Sequence, residues 1–353
     1  MAGTGALTGT YDVYDAGTAS ITGGSNREDL SDIIYNIAPT ETPFLMLAGR
    51  GTARGAKHEW LTDTLEAATA NYVFEGDEQT FAARTAPARL SSYTQISTKN
   101  LIVTGTQEAV DKAGRKSEIA YQLALKAKEL KRDMERQIIG FTAAADSAID
   151  GVTGAGETFP NEIGTASEER VTASVGTWTT LNSDANGATL DYAGTGALAD
   201  GDSTTGGTAR ALLESALKEV IRESWVQGGN PSTIIVDAFN KQVISSFTGG
   251  TTRFDKSEDK RLVTAIDVYV SDFGDHTVIP DRFLINNDAT PSTIGTAAWI
   301  LDMNYWEVAY LRPFQQTPLA KTGDAEKRLM LAEWTLCAKN PAASGAVFNL
   351  SNG

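Results

Sequence analysis

Histidine and cysteine side chains carry much of the chemistry that enzymes perform, and this sequence contains few of them. Its two histidines, His58 and His276, lie far apart in unlike contexts, so a histidine-based zinc site or a Ser-His-Asp triad is not expected. His58 is expected to make a surface or interface hydrogen bond, and His276 to lie in a turn. The single cysteine, Cys337, cannot form an internal disulfide and is predicted to be a buried small hydrophobe.

Carboxylates are abundant, but no motif places two of them for acid–base work. A pair among the 45 acidic residues could serve glycoside hydrolysis only if the fold held the two groups at a fixed separation, which the sequence does not specify. There is also no GxxxxGK[ST] loop for phosphate and no GxSxG nucleophile turn. We therefore predict a protein that is not an enzyme and needs no metal or cofactor.

The charge balance limits the partners of the chain. The net charge of −15 is the wrong sign for a surface that binds nucleic acid or an anionic membrane through Lys and Arg. No apolar run is long enough to span a bilayer, and the N-terminus does not look like a signal peptide. The 353 residues leave room for about two domains made in the cytoplasm.

One long helix is the element around which the rest is predicted to be arranged. A strand-like segment, Leu90–Thr104, leads into a helix over Ser117–Gly140, with Ser117 as N-cap and Gly140 as stop. Apolar residues recur every three or four positions on one face, namely Ile119, Leu123, Ala127, Leu130, Met134 and Ile138. Charged residues occupy the opposite face of the helix, which is predicted to be solvent-exposed. They are Lys126, Lys128, Glu129, Lys131, Arg132, Asp133, Glu135 and Arg136. Periodicity alone leaves open an ordinary core helix of a globular enzyme.

A charged two-stranded excursion precedes this helix. Gly51–Gly105 shows strand-like pieces at Lys57–Leu61, Tyr72–Phe74 and Ser92–Thr104, with acidic and basic residues alternating between them. An isolated hairpin is marginal in water, so this ribbon is expected to need a partner surface. The alternative is a solvated ribbon packed on its own domain. The polar arm before Asn26 likewise has little to bury.

The second half reads as an α+β unit. A stretch rich in Gly, Thr and Asp, with brief strand signals at Glu169–Val175 and Trp178–Leu181, is read as a solvent-facing insertion or a disordered linker. The predicted elements that follow are a helix ending at Gly228-Gly229, a strand over Thr233–Val236, a helix capped by Asp237, strands at Leu262–Val270, Val278–Ile285, Ala298–Met303, Trp306–Leu311 and Lys327–Cys337, and an extended tail over Ala346–Leu350.

This order of elements resembles the major capsid proteins of tailed bacteriophages with the Hong Kong 97-like fold. Local wording is also similar to one family of them, in the segments Asp29-Leu30-Ser31-Asp32-Ile33-Ile34, Thr42-Pro43-Phe44, Glu59-Trp60-Leu61-Thr62-Asp63, Asn71-Tyr72-Val73-Phe74-Glu75-Gly76, Tyr93-Thr94-Gln95-Ile96, Glu129-Leu130-Lys131-Arg132-Asp133-Met134-Glu135, Glu333-Trp334-Thr335-Leu336 and Asn340-Pro341. The matches are individually weak but stand in the correct order over most of the chain.

The resemblance implies a division of the chain into six parts. They are an N-terminal arm and short helices (1–50), an extended β-ribbon loop (51–105), the spine helix of a peripheral domain (106–142), a Gly/Thr/Asp-rich insertion (143–207), an axial domain (208–312), and the returning strands of the peripheral domain with a C-terminal tail (313–353).

The resemblance also implies the function and the partners. The chain would assemble with itself, as hexamers and pentamers of an icosahedral shell, around double-stranded phage DNA that it encloses without reading its sequence. Further expected partners are a portal protein and a decoration protein. Because no long charged helical stretch precedes Asn26, the scaffolding protein is expected to be a separate chain or to be absent. The expected location is the virion capsid, with no membrane involved.

Residues in the arm and the ribbon would form the contacts between subunits. The predicted interface set is Tyr11, Tyr14, Arg54, Lys57, Glu59, Trp60, Tyr72, Phe74, Glu75, Arg84 and Arg89. Lys57, Lys99 and Asn340 are the residue types that cross-link some shells of this fold, but no local motif supports a covalent link and none is expected. Alternatives are an encapsulin-like bacterial compartment, a cytoplasmic hydrolase with an unrecognised carboxylate pair, and a phage tail or decoration protein.

Overall fold

Two larger β-sheets and one long helix form the framework of the described chain. The computed structural model describes residues 41–63, 65–66, 68–76, 78, 84, 86–112, 114–139, 170–179, 182–184, 189–190, 204–205, 210–247, 267–284 and 296–350. The helices are α1 Pro43–Leu47, α2 Gly105–Ala109, α3 Glu118–Ile139, α4 Val175–Trp178, α5 Glu214–Val226 and α6 Ala238–Ser246. The strands are β1 Gly49–Thr52, β2 Lys57–Thr62, β3 Ala88–Tyr93, β4 Gln95–Thr104, β5 Ser183–Asp184, β6 Thr189–Leu190, β7 Thr204–Thr205, β8 Thr233–Val236, β9 Val268–Ser271, β10 Gly274–Pro280, β11 Thr296–Leu301, β12 Trp306–Pro318, β13 Ala325–Ala338 and β14 Gly345–Leu350.

A four-stranded sheet forms the support for the long helix. Its strand order is β1-β12-β13-β4, with β1 parallel to β12 and the other pairs antiparallel. The predicted strand Trp306–Leu311 continues to Pro318 through register shifts on both sides of Arg312, and Pro313 lies within the second of these. Proline cannot donate to a ladder but is tolerated at such irregularities, so it bends the strand without ending it.

Helix α3 packs on β4 and β13 of this sheet. Ser117 accepts a hydrogen bond from the Ala120 amide at 3.2 Å, which confirms the predicted N-cap. Leu130, Met134 and Ile138 are fully buried, as the spacing predicts. Gly140, the predicted stop, lies outside the described residues.

The six-stranded sheet, in the order β5-β14-β11-β8-β10-β9, separates two hydrophobic cores. Alternate residues of β8 and β11 face opposite sides, as strand geometry requires. Ile235 and Trp299 pack in the core that also holds Met134 of α3, whereas Ile234 and Ile300 pack against α5 and α6. Strand β14 belongs to this sheet, although β12 and β13 that precede it belong to the other. The predicted domain boundaries themselves stay a prediction.

Several local predictions are confirmed by this sheet and its helices. Asp237 accepts hydrogen bonds from the amides of Phe239 (3.1 Å) and Asn240 (3.4 Å), and so caps α6. Gly228, which ends α5, has a φ of 88°, a left-handed value that favours glycine. Strand β8 has the predicted bounds and is buried throughout.

Other predictions are wrong, each because a contact distant in sequence overrides the local pattern. The predicted strand Leu90–Thr104 is two strands in different sheets, divided at Thr94, whose amide donates to Ala56 O at 2.8 Å. The predicted strand at Val278–Ile285 ends at Pro280, because Asp281 accepts a hydrogen bond from the Phe283 amide at 2.7 Å and turns the chain.

Two smaller segments also differ from expectation. Tyr72–Phe74 forms no strand. Residues 170–174 have no regular structure and lead into α4, because Val175 and Trp178 are drawn into the core. The arm, the predicted strand start at 262 and most of the insertion 143–207 lie outside the described residues.

Candidate assembly surface

The base of the ribbon is fixed to its own chain. Strands β2 and β3 pair antiparallel from Lys57↔Tyr93 to Thr62↔Ala88. The Trp60 indole donates to Ala338 O at 3.0 Å, and its ring centroid lies 5.5 Å from that of Trp178. Since Trp60 packs inside its own chain, it fixes the direction in which the ribbon leaves the body.

The charged residues of the ribbon form only weak ion pairs. Glu59 lies 3.1 Å from Lys57 and 3.5 Å from Arg89, and Arg84 lies 2.5 Å from Asp63. All of these side chains are a third or more exposed, so each pair contributes about 0–1 kcal/mol at most. The pairs can therefore rearrange at little cost when another surface approaches.

The outer part of the ribbon exposes apolar side chains. Between Thr62 and Ala88, the described residues of the ribbon form no further strand pairing. Leu65, Tyr72 and Phe74 are 92%, 88% and 89% exposed. Tyr72, Val73 and Phe74 are consecutive, and such a group of exposed large apolar side chains indicates a binding surface. We call residues 65–78 the ribbon tip.

A buried carboxylate holds the segment before α4 on the four-stranded sheet. Glu333 of β13 lies 2.8 Å from the Arg170 guanidinium, 2.6 Å from that of Arg312 and 3.0 Å from the Thr94 hydroxyl. Burial alone would raise the pKa of Glu333, but the hydrogen bonds and charges of these partners outweigh it and lower the pKa. The ionised carboxylate thus ties together four segments that are distant in sequence.

A second buried acid joins α3 to α1 and to the turn after β10. Glu135 accepts hydrogen bonds from the amides of Phe44 (2.6 Å) and Leu45 (2.9 Å), and its carboxyl group interacts with that of Asp281. Burial and, to a smaller extent, repulsion from Asp281 raise the pKa of Glu135 to about 8. Burial also raises the pKa of Asp281. The prediction that Glu135 lies on the solvent-exposed face of α3 is wrong, because Glu135 is fully buried.

A cavity of about 330 Å³ opens where α1, β1, α3 and β12 meet. Leu45, Met46, Tyr310, Pro313 and Phe314 supply most of its apolar wall, and Thr42, Arg50 and Lys131 supply polar atoms. We call it the α1–β12 cavity.

The histidines and the cysteine have structural surroundings. His276 is buried in β10, where its ring nitrogens lie 2.6 Å from Pro231 O and 2.7 Å from the Ser271 hydroxyl, so the predicted turn is wrong. Cys337 is buried, as predicted. Across the described residues, no group of His, Cys, Asp and Glu side chains could hold a metal ion, and no helix could cross a bilayer.

Known structures define the class of protein. The fold resembles the gene-transfer-agent particle capsid (TM-score 0.59, 10% identity, covering 95% of this chain and 98% of the other). It also resembles a chain of the cyanophage A-1(L) capsid, with a TM-score of 0.57 and 14% identity, covering 92% of this chain and 97% of the other. A chain of Gordonia phage Cozz matches with a TM-score of 0.54 and 14% identity, covering 94% of this chain and 96% of the other. The protein thus has the mixed α/β fold of Hong Kong 97-like capsid proteins.

The sequence identifies the family within that class. Residues 8–351 match the SU10 major capsid protein family, and the chain belongs to it. It is 22% identical over 332 residues to the major capsid protein of Escherichia phage Phieco32, covering 88% of this chain and 91% of the other. The protein is therefore a structural component of the virion that forms a phage capsid shell, and it is not an enzyme. This membership rules out the hydrolase, compartment and tail-protein alternatives.

The structure brings together only some of the predicted interface residues. Lys57, Glu59, Trp60 and Arg89 cluster at the ribbon base, and Tyr72, Phe74 and Glu75 lie at the tip. Arg54 is exposed before β2, and Tyr11 and Tyr14 lie outside the described residues. Sequence reasoning missed the Glu333 and Glu135 clusters and the α1–β12 cavity, because no local pattern indicates them.

Proposed function

We propose that this capsid protein builds its shell by sharing the ribbon, and the arm before Asn26, between neighbouring subunits. The observation that carries the proposal is the contrast within the ribbon. Trp60 fixes the base to its own chain, while Tyr72 and Phe74 are left 88% and 89% exposed at the tip. Burying such side chains against a neighbour would contribute roughly 1.5–3 kcal/mol each.

The finer roles of the chain follow from the same proposal. Residues 51–105 act as the extended loop, 106–142 and 313–353 as the peripheral domain, and 208–312 as the axial domain around the five-fold and six-fold centres. The packing of α3 on β13 supports the joint role of 106–142 and 313–353.

The contents and further partners of the shell also belong to this proposal. Hexamers and pentamers close an icosahedral shell around double-stranded DNA, and the net charge of −15 keeps the container from adhering to its cargo. A portal protein, a separate scaffolding protein and a decoration protein complete the assembly.

The test is to replace Tyr72, Val73 and Phe74 together by Ser. The chain should fold, since all three side chains are more than half exposed, but it should form few shells by negative-stain microscopy and size exclusion. Val110→Ser, at a position 55% exposed and outside the ribbon, is the matched control. A triple variant that assembles as the parent does would refute the sharing of the ribbon.

We further propose that the shell has no covalent cross-links. The Lys57 ammonium lies 3.1 Å from Glu59, and that of Lys99 lies 2.5 Å from Asp133, so each is held in an ion pair. Purified shells, boiled and reduced, should give only the monomer band on a denaturing gel. A ladder of multiples would contradict this.

A further inference from the structure

The α1–β12 cavity combines an apolar wall with two cationic side chains. Arg50 from β1 and Lys131 from α3 line it, both are exposed, and neither forms an ion pair with a described residue. In a chain with a net charge of −15, two such cations at one opening are unusual. The cavity is thus suited to an apolar side chain that has carboxylates next to it.

The ribbon tip has the complementary chemistry. Its exposed aromatic side chains, Tyr72 and Phe74, are followed by Glu75 at a turn where Gly76 has a φ of 85°. Glu66, Glu75 and Glu78 form no ion pair with a described residue, in contrast to Asp63 nearer the base, which pairs with Arg84. The tip thus offers aromatic rings and free carboxylates together.

Geometry allows the tip to reach well beyond its own subunit. Glu75 at the turn stands thirteen positions after Thr62, the end of the paired strand. At about 3.3 Å per extended residue the tip can extend up to roughly 43 Å beyond β2. The base is held against Ala338 and Trp178, so the ribbon extends from a fixed point.

We infer that the α1–β12 cavity of one subunit receives the acidic, aromatic ribbon tip of a second copy, with Arg50 and Lys131 facing the tip carboxylates. This inference rests on the proposed sharing of the ribbon and names the surface that receives it. A phosphate-bearing partner would satisfy the two cations but would leave the wall of Leu45, Tyr310 and Phe314 uncovered. The ribbon tip supplies carboxylates for the two cations and aromatic rings for the apolar wall.

Disulfide trapping tests the contact directly. Met46 lines the cavity and is 79% exposed, and Phe74 is 89% exposed, so Met46→Cys and Phe74→Cys should both fold. The native Cys337 is 2% exposed, and burial raises its pKa to about 12, so it should not react. Shells assembled from a mixture of the two single variants, mildly oxidised, should give a dimer band without reductant.

The mixture also excludes other occupants of the cavity. A disulfide between two single variants can form only between different chains, so a dimer band cannot arise from a ribbon folded onto its own cavity. Shells of either single variant alone should remain monomeric on the gel. Shells that form from the mixture without a dimer band would overturn the inference.

Charge reversal tests the role of the cations. Arg50→Glu with Lys131→Glu should reduce the yield of shells about tenfold or more, as should Glu75→Lys with Glu78→Lys. Combining the four changes should restore assembly, because attraction replaces repulsion. Lys128→Glu, an exposed change on the same helix but outside the cavity, is the control and should assemble normally.

The outcomes separate failure of the inference from failure of the proposed function. If the Ser triple variant at 72–74 loses assembly while the charge reversals have no effect and no dimer band forms, the ribbon is shared but another surface receives it. If the triple variant assembles normally, the sharing of the ribbon itself is wrong.

Discussion

Removing the Glu333 carboxylate should be among the most damaging single changes to this fold. Its side chain is 4% exposed, whereas Arg170 and Arg312 are 23% and 43% exposed. Removing one member of a buried ion pair costs about 3–5 kcal/mol. Because water can solvate the two guanidinium groups in part, we expect Glu333→Ala to lower the free energy of unfolding by about 3 kcal/mol, at the lower end of that range.

Two further variants sharpen the measurement. Glu333→Gln keeps an oxygen that can accept from Thr94 or one arginine, and should cost about half as much. Glu326→Ala removes a carboxylate from the same strand, but one that is 33% exposed and pairs with Arg328 only two residues away. This control should change the free energy of unfolding by less than about 0.5 kcal/mol.

Urea unfolding of the unassembled chain, followed by tryptophan fluorescence, gives the three values. The cost of Glu333→Ala should also shrink in acid. Since the folded pKa of Glu333 is lowered, its stabilisation is present above its ordinary pKa of 4.5 and is lost as the pH falls through the folded pKa. Equal costs for Glu333→Ala and Glu326→Ala would refute the reasoning.

Two further predictions concern other buried contacts. The pKa of Glu135 is raised from 4.5 to about 8, so the folded state keeps a proton that the unfolded state releases, and stability should decline as the pH rises through that range. Glu135→Gln should flatten this decline in urea midpoints measured from pH 4 to 9, and an unchanged slope would contradict it. Gly229→Ala should lower the thermal midpoint by several degrees, because a Cβ there would overlap the backbone of Ala343. At Gly55 a Cβ would meet nothing nearer than 3.5 Å, so Gly55→Ala should have little effect in the same melt.

The sequence itself determined the elements whose signals are local. The 3.6-residue period and the Ser117 cap define α3, Asp237 defines the start of α6, and Gly228 defines the end of α5. Each depends on residues within a few positions of one another, because helix hydrogen bonds and caps span only three or four residues. The order of such elements, together with short sequence motifs along the chain, was enough to indicate the capsid fold.

The tertiary structure alone decided which residues meet across long stretches of sequence. Glu135 is one of the charged residues predicted on the exposed face of α3, and only the tertiary structure shows that it is buried against Phe44, Leu45 and Asp281. Likewise, Thr94 divides two strands because Ala56 and Glu333 bind it from other parts of the chain. Such pairings depend on strand order and on desolvation of the paired groups, which no local period encodes.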